Sequence, residues 1–392
     1  MTLSPDQKLI VQSQQPSALI LAGAGSGKTR TVIERINYLL TERNVSPQAI
    51  LCLTFSHKAA TEMVERMVNK EVKAVTFHKL ALDLLSTDEP LNLFQEELAN
   101  FNKADLTAIS LFKNKSRWLP PPVYSSYQAF LKEHQLVDFD DLLNLFFAKL
   151  KRKEISLNYE YIFIDEFQDT NNLQYLIIKQ LIQKKTQVMC VGDPDQSIYA
   201  FRGANVGIVT QYLKTFNPKI FFLNRNYRSD CSILDAANRS ISHNMNRQKK
   251  NLINNTGKLG LVVIKHFRSM DEKCEFIAEQ LILRKDKTRS FAVLYRNNRS
   301  IFPLHNFLFD QYLNLEPNLY LMTIHQAKGL EFDQVYLFDG NDKIFPGTPH
   351  SWKDLEEERR IFFVAVTRAK QELYLLSAES EGKPSRFYRN LV

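Results

Sequence analysis

Only four cysteines occur in the 392 residues, and Cys52, Cys190, Cys231 and Cys274 are scattered with no short paired spacing. That excludes a disulfide frame and a cysteine zinc site, and describes buried or free thiols in a reducing compartment. No apolar run approaches the ~20 residues of a membrane span, and Met1–Asp6 begins no secretory signal. A cytoplasmic protein with no membrane partner is expected. Internal repeats and low-complexity tracts are also lacking. What remains is 44% hydrophobic and 24% charged, the composition of a soluble globular chain. Its length calls for two or three domains. Lysine and arginine number 51 against 43 acidic residues, and the net charge of +8 points to an anionic partner, nucleic acid first among them.

Short apolar runs recur at Ser17–Leu21, Ala49–Phe55, Tyr161–Ile164, Gln187–Val191, Ile220–Leu223, Phe291–Tyr295 and Asp333–Phe338. Each gives way to a polar or glycine turn and then a helical pattern, which implies parallel sheets with crossover helices. Four runs precede residue 200 and three follow residue 219, so two α/β lobes are expected. Residues 80–136 lack buried-strand runs. Helical patterns at Leu80–Leu85, Leu91–Phe101 and Tyr127–His134, broken by Trp118-Leu119-Pro120-Pro121-Pro122, make that stretch a small insert.

The first run ends in Ala22-Gly23-Ala24-Gly25-Ser26-Gly27-Lys28-Thr29-Arg30, the layout of a phosphate-binding loop. Gly23, Gly25 and Gly27 admit positive φ and let backbone N–H groups close around a triphosphate. Lys28 can reach the β- and γ-phosphates, and the Thr29 hydroxyl can ligate Mg²⁺. Ala22 stands where the general pattern has glycine. Tyr161–Ile164 ends in Asp165-Glu166, and strand C-termini of a parallel sheet face the ligand crevice. There Asp165 would hold Mg²⁺, and Glu166 would orient or deprotonate an attacking water. An acidic strand end alone is weak evidence; beside a glycine loop it is strong.

Other stretches carry less weight singly. Gly192-Asp193-Pro194-Asp195-Gln196 places Gln196 to sense a phosphate or the attacking water, yet by itself reads more simply as a turn. Tyr199, Phe201 and Arg202 follow, aromatics that either seal a core or stack on bases. Arg228 and Arg368 could each neutralise charge developing on a γ-phosphate from a second lobe. Taken singly, a surface salt bridge, worth ~0–1 kcal/mol, explains either one more simply.

Together these stretches resemble the UvrD/Rep/PcrA family of superfamily 1 DNA helicases, motif by motif in the family's order from Gln7 to Arg368. Leu3–Gln7 resembles the Q motif, which implies that Gln7 reads adenine. Ala22–Arg30 resembles motif I. Leu53–Ala60 resembles motif Ia, implying DNA contacts by Thr54 and Phe55. Thr76-Phe77-His78 resembles the next DNA-contact motif, and Asp138-Phe139-Asp140-Asp141-Leu142 matches a family segment. Ile164–Thr170 resembles motif II. Gly192–Arg202 resembles motif III, implying that Gln196 couples phosphate to DNA while Tyr199 and Phe201 stack on bases. Asn226–Ser229 resembles motif IV, with Tyr227 on adenine and Arg228 at the γ-phosphate. Met322–Phe332 resembles motif V, with Glu331 at the ribose and Thr323 and His325 on DNA. Glu357–Ala369 resembles motif VI, with Arg368 a second arginine finger.

The resemblance implies two RecA-like P-loop NTPase lobes: 1A at residues 1–79 and 137–213, and 2A at 214–392, with a helical 1B insert at 80–136. It also implies ATP and Mg²⁺ as cofactors and 3′-to-5′ movement of a monomer on single-stranded DNA or at single-strand/duplex junctions. Three departures stand out. About 20 residues separate Arg299 from Met322, where relatives carry the large 2B subdomain. The 1B insert is short and lacks the glycine turn of the family's duplex-contact motif. After motif VI, Leu376–Lys383 runs directly into Pro384-Ser385-Arg386-Phe387, leaving a stub where relatives have a strand-splitting hairpin. A translocase with weak or partner-dependent unwinding is therefore expected. An ATP-set binding switch is the alternative, and a metabolic kinase or GTPase fits poorly.

Overall fold

The computed structural model describes residues 2–86, 91–95, 101–248, 250–283, 288–310 and 318–391. It divides into two compact units, Met1–Ala22 with Gly27–Leu223, and Gly23–Ser26 with Asn224–Val392.

The first unit is built on six strands: β1 (Ser17–Ala22), β2 (Ile50–Thr54), β3 (Lys73–Thr76), β4 (Tyr161–Ile164), β5 (Gln187–Gly192) and β6 (Lys219–Leu223). Their order is β3-β2-β4-β5-β1-β6, and every pairing is parallel. Parallel strands need helical crossovers, and these cover both faces of the sheet. The helices are α1 (Pro5–Val11), α2 (Lys28–Thr41), α3 (His57–Arg66), α4 (Phe77–Leu85), α5 (Lys103–Lys113), α6 (Tyr124–Glu133), α7 (Phe139–Lys151), α8 (Asn172–Leu181) and α9 (Gly207–Phe216). Because side chains alternate along a strand, each strand feeds two cores. Leu19, Leu21, Leu51, Leu53, Ile162 and Ile164 pack with α4, α7, α8 and α9 on one face. Ala18, Ile20, Ile50, Cys52 and Phe163 pack with α1, α2 and α3 on the other. The strand ends that carry Asp165, Gly192 and the glycine loop therefore lie along one edge of a sheet fixed from both sides.

Two sequence readings change here. Ile220–Leu223, expected in the second lobe, is β6 and pairs with β1 from Ala18 to Ala22. Partial exposure of its outer residues marks it as an edge strand, which its apolar composition alone could not assign to either sheet. Leu91–Phe101, expected as a helix, instead runs extended over its described part. Leu93 forms a parallel bridge with Val137, Phe94 N donates to Val137 O (2.9 Å), and Val137 N to Asn92 O (2.8 Å). Residues 96–100 of that stretch lie outside the described residues. The insert has a small core of its own, with Phe94, Ile109, Tyr127 and Leu131 buried together.

The second unit contains a short pair, β7 (Arg225–Asn226) and β8 (Ile253–Asn254), and a five-stranded sheet. That sheet is made of β9 (Leu261–Phe267), β10 (Phe291–Tyr295), β11 (Leu319–Thr323), β12 (Phe332–Leu337) and β13 (Ala369–Ala378), all parallel in the order β11-β10-β12-β13-β9. Helices α10 (Cys231–Ser242), α11 (Met270–Ile282), α12 (Phe302–Asp310) and α13 (Trp352–Val366) flank it, and α14 (Arg386–Arg389) follows. β9 and β13 escape the sequence pattern. β9 is an edge strand with four of its seven residues exposed, and Lys370-Gln371-Glu372 interrupt the apolar run of β13. Between Arg299 and Met322 the described residues hold α12 and β11, with residues 311–317 outside the description.

Candidate nucleotide and nucleic-acid sites

The glycine loop leaves β1 and enters α2 through Gly25 and Gly27, whose φ values of +62° and +79° lie in the left-handed region that side chains resist. Gly27 is the N-cap of α2 and no side chain caps that end. The first-turn N–H groups and the helix dipole thus make an anion site at Lys28 and Thr29. Lys28 Nζ lies 3.3 Å from Glu166 Oε1, and Thr29 Oγ1 donates to Asp165 Oδ2 at 3.4 Å. Burial alone would push the Lys28 ammonium down; Glu166, Asp193 and Asp165 outweigh it and hold the group above its ordinary value. Burial, with Glu166 adjacent, pushes the Asp165 carboxyl up. Glu166 itself sits in the left-handed region at φ +50°, a conformation that turns it away from the strand line after Asp165. Such non-glycine outliers cost of order 1–3 kcal/mol and cluster at functional sites.

The sequence reading passed over Gln168, which organises this cluster. Its Nε2 donates to Glu166 Oε2 and, at 3.0 Å, to Asp169 Oδ2, while its Oε1 accepts from Asp193 N at 2.8 Å. Gln196 Nε2 donates in turn to Asp193 Oδ2. A continuous polar chain therefore joins Glu166 to Gln196 through Gln168 and Asp193, all but Glu166 buried. Gly192 is required beside it, since a Cβ there would stand 2.5 Å from Gln168 Oε1. The signal for Gln168 in the sequence was its place in the Ile164–Thr170 stretch, two residues after Glu166. Gln7, expected at adenine, is buried on α1 in a reciprocal capping box with Ser4. Arg30 lies on the first turn of α2, with Ala22 and Gly23 at the strand exit.

Among the expected nucleic-acid residues, Phe55 and Tyr199 stack with ring centroids 4.8 Å apart and 18° between planes. Phe201 is half-exposed 6.1 Å from Tyr199, and the Arg202 guanidinium lies 5.7 and 5.6 Å from the two rings. This aromatic-cation row suits stacking on bases beside a phosphate backbone. Thr54 is buried and donates to Ser56 O, and Thr76 caps α4. Phe77 is only 6% exposed, its side chain packed in the core beneath α4. His78 meets Phe139 edge-on at 5.4 Å, and burial lowers its pKa to about 4, so the ring is neutral at neutral pH.

Within the second unit Arg228 and Arg368 approach the same segments. Arg228 Nε pairs with Glu331 Oε2 at 2.7 Å and Nη1 donates to Thr367 O at 3.3 Å. Arg368 is buried, donating to Val364 O (3.0 Å), Leu330 O (2.8 Å) and Thr367 Oγ1 (3.2 Å). Burial opposes ionisation of Glu331, but Arg228 and Lys370 outweigh it and hold its carboxyl below the usual range. Asn226 Oδ1 accepts from Arg228 N and Ser229 N, each at 2.8 Å, fixing the turn that displays Tyr227 and Arg228. Tyr227 is partly exposed. Thr323 Oγ1 donates to Gln326 Oε1 at 3.0 Å, and His325 is half-buried on the same turn.

Residues 3–118 and 95–217 match the model of the UvrD/REP helicase N-terminal domain, and residues 221–316 and 310–380 match that of the UvrD-like helicase C-terminal domain. Similar relatives include several described as ATP-dependent DNA helicase PcrA. That of Staphylococcus epidermidis is 32% identical over 76% of this chain and 48% of its own length. That of Leuconostoc citreum is 35% identical over 74% and 46%, and that of Staphylococcus aureus 33% identical over 76% and 48%. The chain spans about half the length of these curated relatives. With family models matched along both units, and the phosphate loop, carboxylate pair and paired arginines in the places described, the chain belongs to the UvrD/REP helicase family.

Proposed function

We propose that this chain is an ATP-hydrolysing DNA motor that steps along single-stranded DNA. The observation that carries the reading is the cluster at the α2 N-terminus, with Lys28 held against Glu166 and Thr29 against Asp165. Backbone N–H groups of the glycine loop and Lys28 would take the β- and γ-phosphates, with Gln7 at adenine and Tyr227 and Glu331 on the nucleoside. Glu166 would orient the attacking water and accept its proton, and the Gln168–Asp193–Gln196 chain would report the phosphate's state to the turn bearing Tyr199 and Phe201. Arg228 and Arg368 are assigned the charge that develops on the γ-phosphate.

The donor set fits Mg²⁺. Thr29 and Asp165 present hard oxygens side by side, Thr29 Oγ1 donating to Asp165 Oδ2 at 3.4 Å. Mg²⁺ typically keeps waters and shares one or two protein ligands with the phosphates. When bound, it would neutralise phosphate charge in the displacement.

The DNA track would run over Phe55, Tyr199, Phe201 and Arg202, with Thr54, Thr76, His78, Thr323 and His325 beside the strand. Residues 1–79 and 137–223 are assigned to lobe 1A, 80–136 to insert 1B, and 224–392 to lobe 2A, since β6 pairs within the first sheet. We assign 3′-to-5′ movement, a cytoplasmic monomer, and unwinding that is weak or partner-dependent because only about 20 residues separate Arg299 from Met322, where relatives carry a 2B subdomain. The test is ATP turnover with and without oligo(dT), alongside strand displacement from a 3′-tailed duplex. Turnover should rise with oligo(dT), and Glu166→Gln should lower it roughly 10²–10⁴-fold while still binding ATP. Absent stimulation would favour an ATP-set binding switch, and full activity in Glu166→Gln would refute the assigned base. Unaided unwinding of a long duplex by single proteins would overturn the weak-unwinding assignment.

A further inference from the structure

Trp118 is 97% exposed and Leu119 72% exposed, on the loop between α5 and α6. Leaving such groups in water forgoes roughly 1.5–3 kcal/mol per side chain, and contiguous apolar surface rimmed by polar residues marks an interaction site. The loop is held firmly. Ser116 N and Arg117 N both donate to Leu111 O at 2.9 Å, Tyr124 N donates to Pro121 O at 2.9 Å, and Asn172 Nδ2 to Lys115 O at 2.7 Å. Its base is joined to the turn that carries the aromatic row. Buried Asn114 donates through Nδ2 to Arg202 O at 3.3 Å, and Ser116 Oγ donates to Gly203 O at 3.1 Å. Leu173 N donates to Asn114 O at 3.1 Å, anchoring the same base to α8.

The occupant is identified by three features together. An indole standing free in solvent offers a flat π face. The adjacent Lys115 and Arg117 are exposed cations on a chain of net charge +8. Through Asn114 and Ser116 the loop is continuous with the turn bearing Tyr199, Phe201 and Arg202. A ligand with flat aromatic faces strung on a polyanionic backbone satisfies all three, whereas an apolar protein surface leaves both cations unmatched. We propose that Trp118 is a base-stacking site for unpaired nucleotides, extending the strand path beyond Phe201, with Lys115 and Arg117 at the flanking phosphates. This rests on the DNA-binding reading above and adds to it a contact from the insert.

The chain has two tryptophans, and the other, Trp352, begins α13. In a Trp352→Phe background, Trp118 becomes the sole indole reporter. Titration with oligo(dT) should quench its emission saturably. Trp118→Ala in the otherwise natural chain should weaken oligo(dT) binding roughly 5- to 150-fold, the span of one base–aromatic stack, while Trp118→Phe retains most of the affinity. An unchanged thermal midpoint, expected for so exposed a side chain, separates this loss from misfolding. If the natural chain binds oligo(dT) and Trp118→Ala binds equally, with no quenching, the stacking site is refuted and the DNA reading stands. If the natural chain binds no oligo(dT), both fail. Concentration-dependent self-association abolished by Trp118→Ala, with DNA affinity unmoved, would also overturn the proposal, assigning the patch to a second copy.

Discussion

Lys113 closes α5 with its side chain only 2% exposed, and its Nζ lies 2.5 Å from Asp138 Oδ2 and 2.6 Å from Asp141 Oδ2. The Tyr127 hydroxyl donates to the same Asp138 oxygen at 2.9 Å, and the Tyr127 ring centroid lies 4.8 Å from Nζ. Lys113→Met keeps the length and apolar stem but removes the one cation that two carboxylates share. Breaking a buried pair from one side typically costs about 3–5 kcal/mol, because the remaining charge is left uncompensated. Asp138 keeps bonds from Tyr127 and from its own cap partner, Asp141 N at 2.7 Å. Asp141 is more exposed and can recruit water, so the lower half of that range is expected. The assay is hydrogen exchange read on peptides from α5 and α7. At about 3–4 kcal/mol, local opening should become roughly two to three powers of ten more frequent. Adding Asp138→Asn should recover part of the loss. Because burial pushes the Asp141 carboxyl up, so that once stranded it can protonate, the deficit should also shrink at acidic pH. Exchange unchanged in Lys113→Met, or a deficit indifferent to Asp138→Asn and pH, would refute the charge-compensation argument.

Gly203, at φ +88°, has no room for a side chain, since a Cβ would stand 2.7 Å from both Asn114 Nδ2 and Ser116 Oγ. Gly203→Ala should cost roughly 1–3 kcal/mol through backbone strain and lost bonds, and raise the oligo(dT) concentration needed for half-maximal stimulation; unaltered stimulation and stability would show the junction to be slack. Burial, opposed by the Ser110 hydroxyl and by Lys113 but reinforced by Asp138 and Asp141, raises the Asp140 pKa to about 7. The folded state then holds a proton that the unfolded chain releases near its ordinary value of 3.8, so this group's contribution to stability falls as pH rises from about 4 to 7. Asp140→Asn should match the natural chain near pH 4 and gain on it progressively towards pH 7 in thermal melts; a constant offset would exclude the titration.

The phosphate loop was legible in the chain because its requirements are local: glycines where φ is positive, a lysine and a hydroxyl at a helix start, an apolar strand before them. Asp165 and Glu166 were legible for the same reason, as a strand terminus in a parallel sheet puts its next residues at the ligand edge. The motif order then supplied the family. Contacts between segments far apart in sequence were not legible. Gln168 joins Glu166 to Asp193 only because β4 and β5 are neighbours, a pairing that alternation within either strand cannot announce. Phe77 stands in a motif that suggests DNA, yet the packing of α4 against the sheet turns it into the core. β6 has the same apolar look whichever sheet it joins, and only its hydrogen bonds to β1 assign it. The sequence by itself determined the chemistry available here, since chemistry follows from residue type and short spacing. Tertiary structure alone decided which carboxylates share Lys113, that Trp118 stands in water, and that Asn114 ties the insert to the aromatic turn. Each of these depends on distances across the fold that no local pattern encodes.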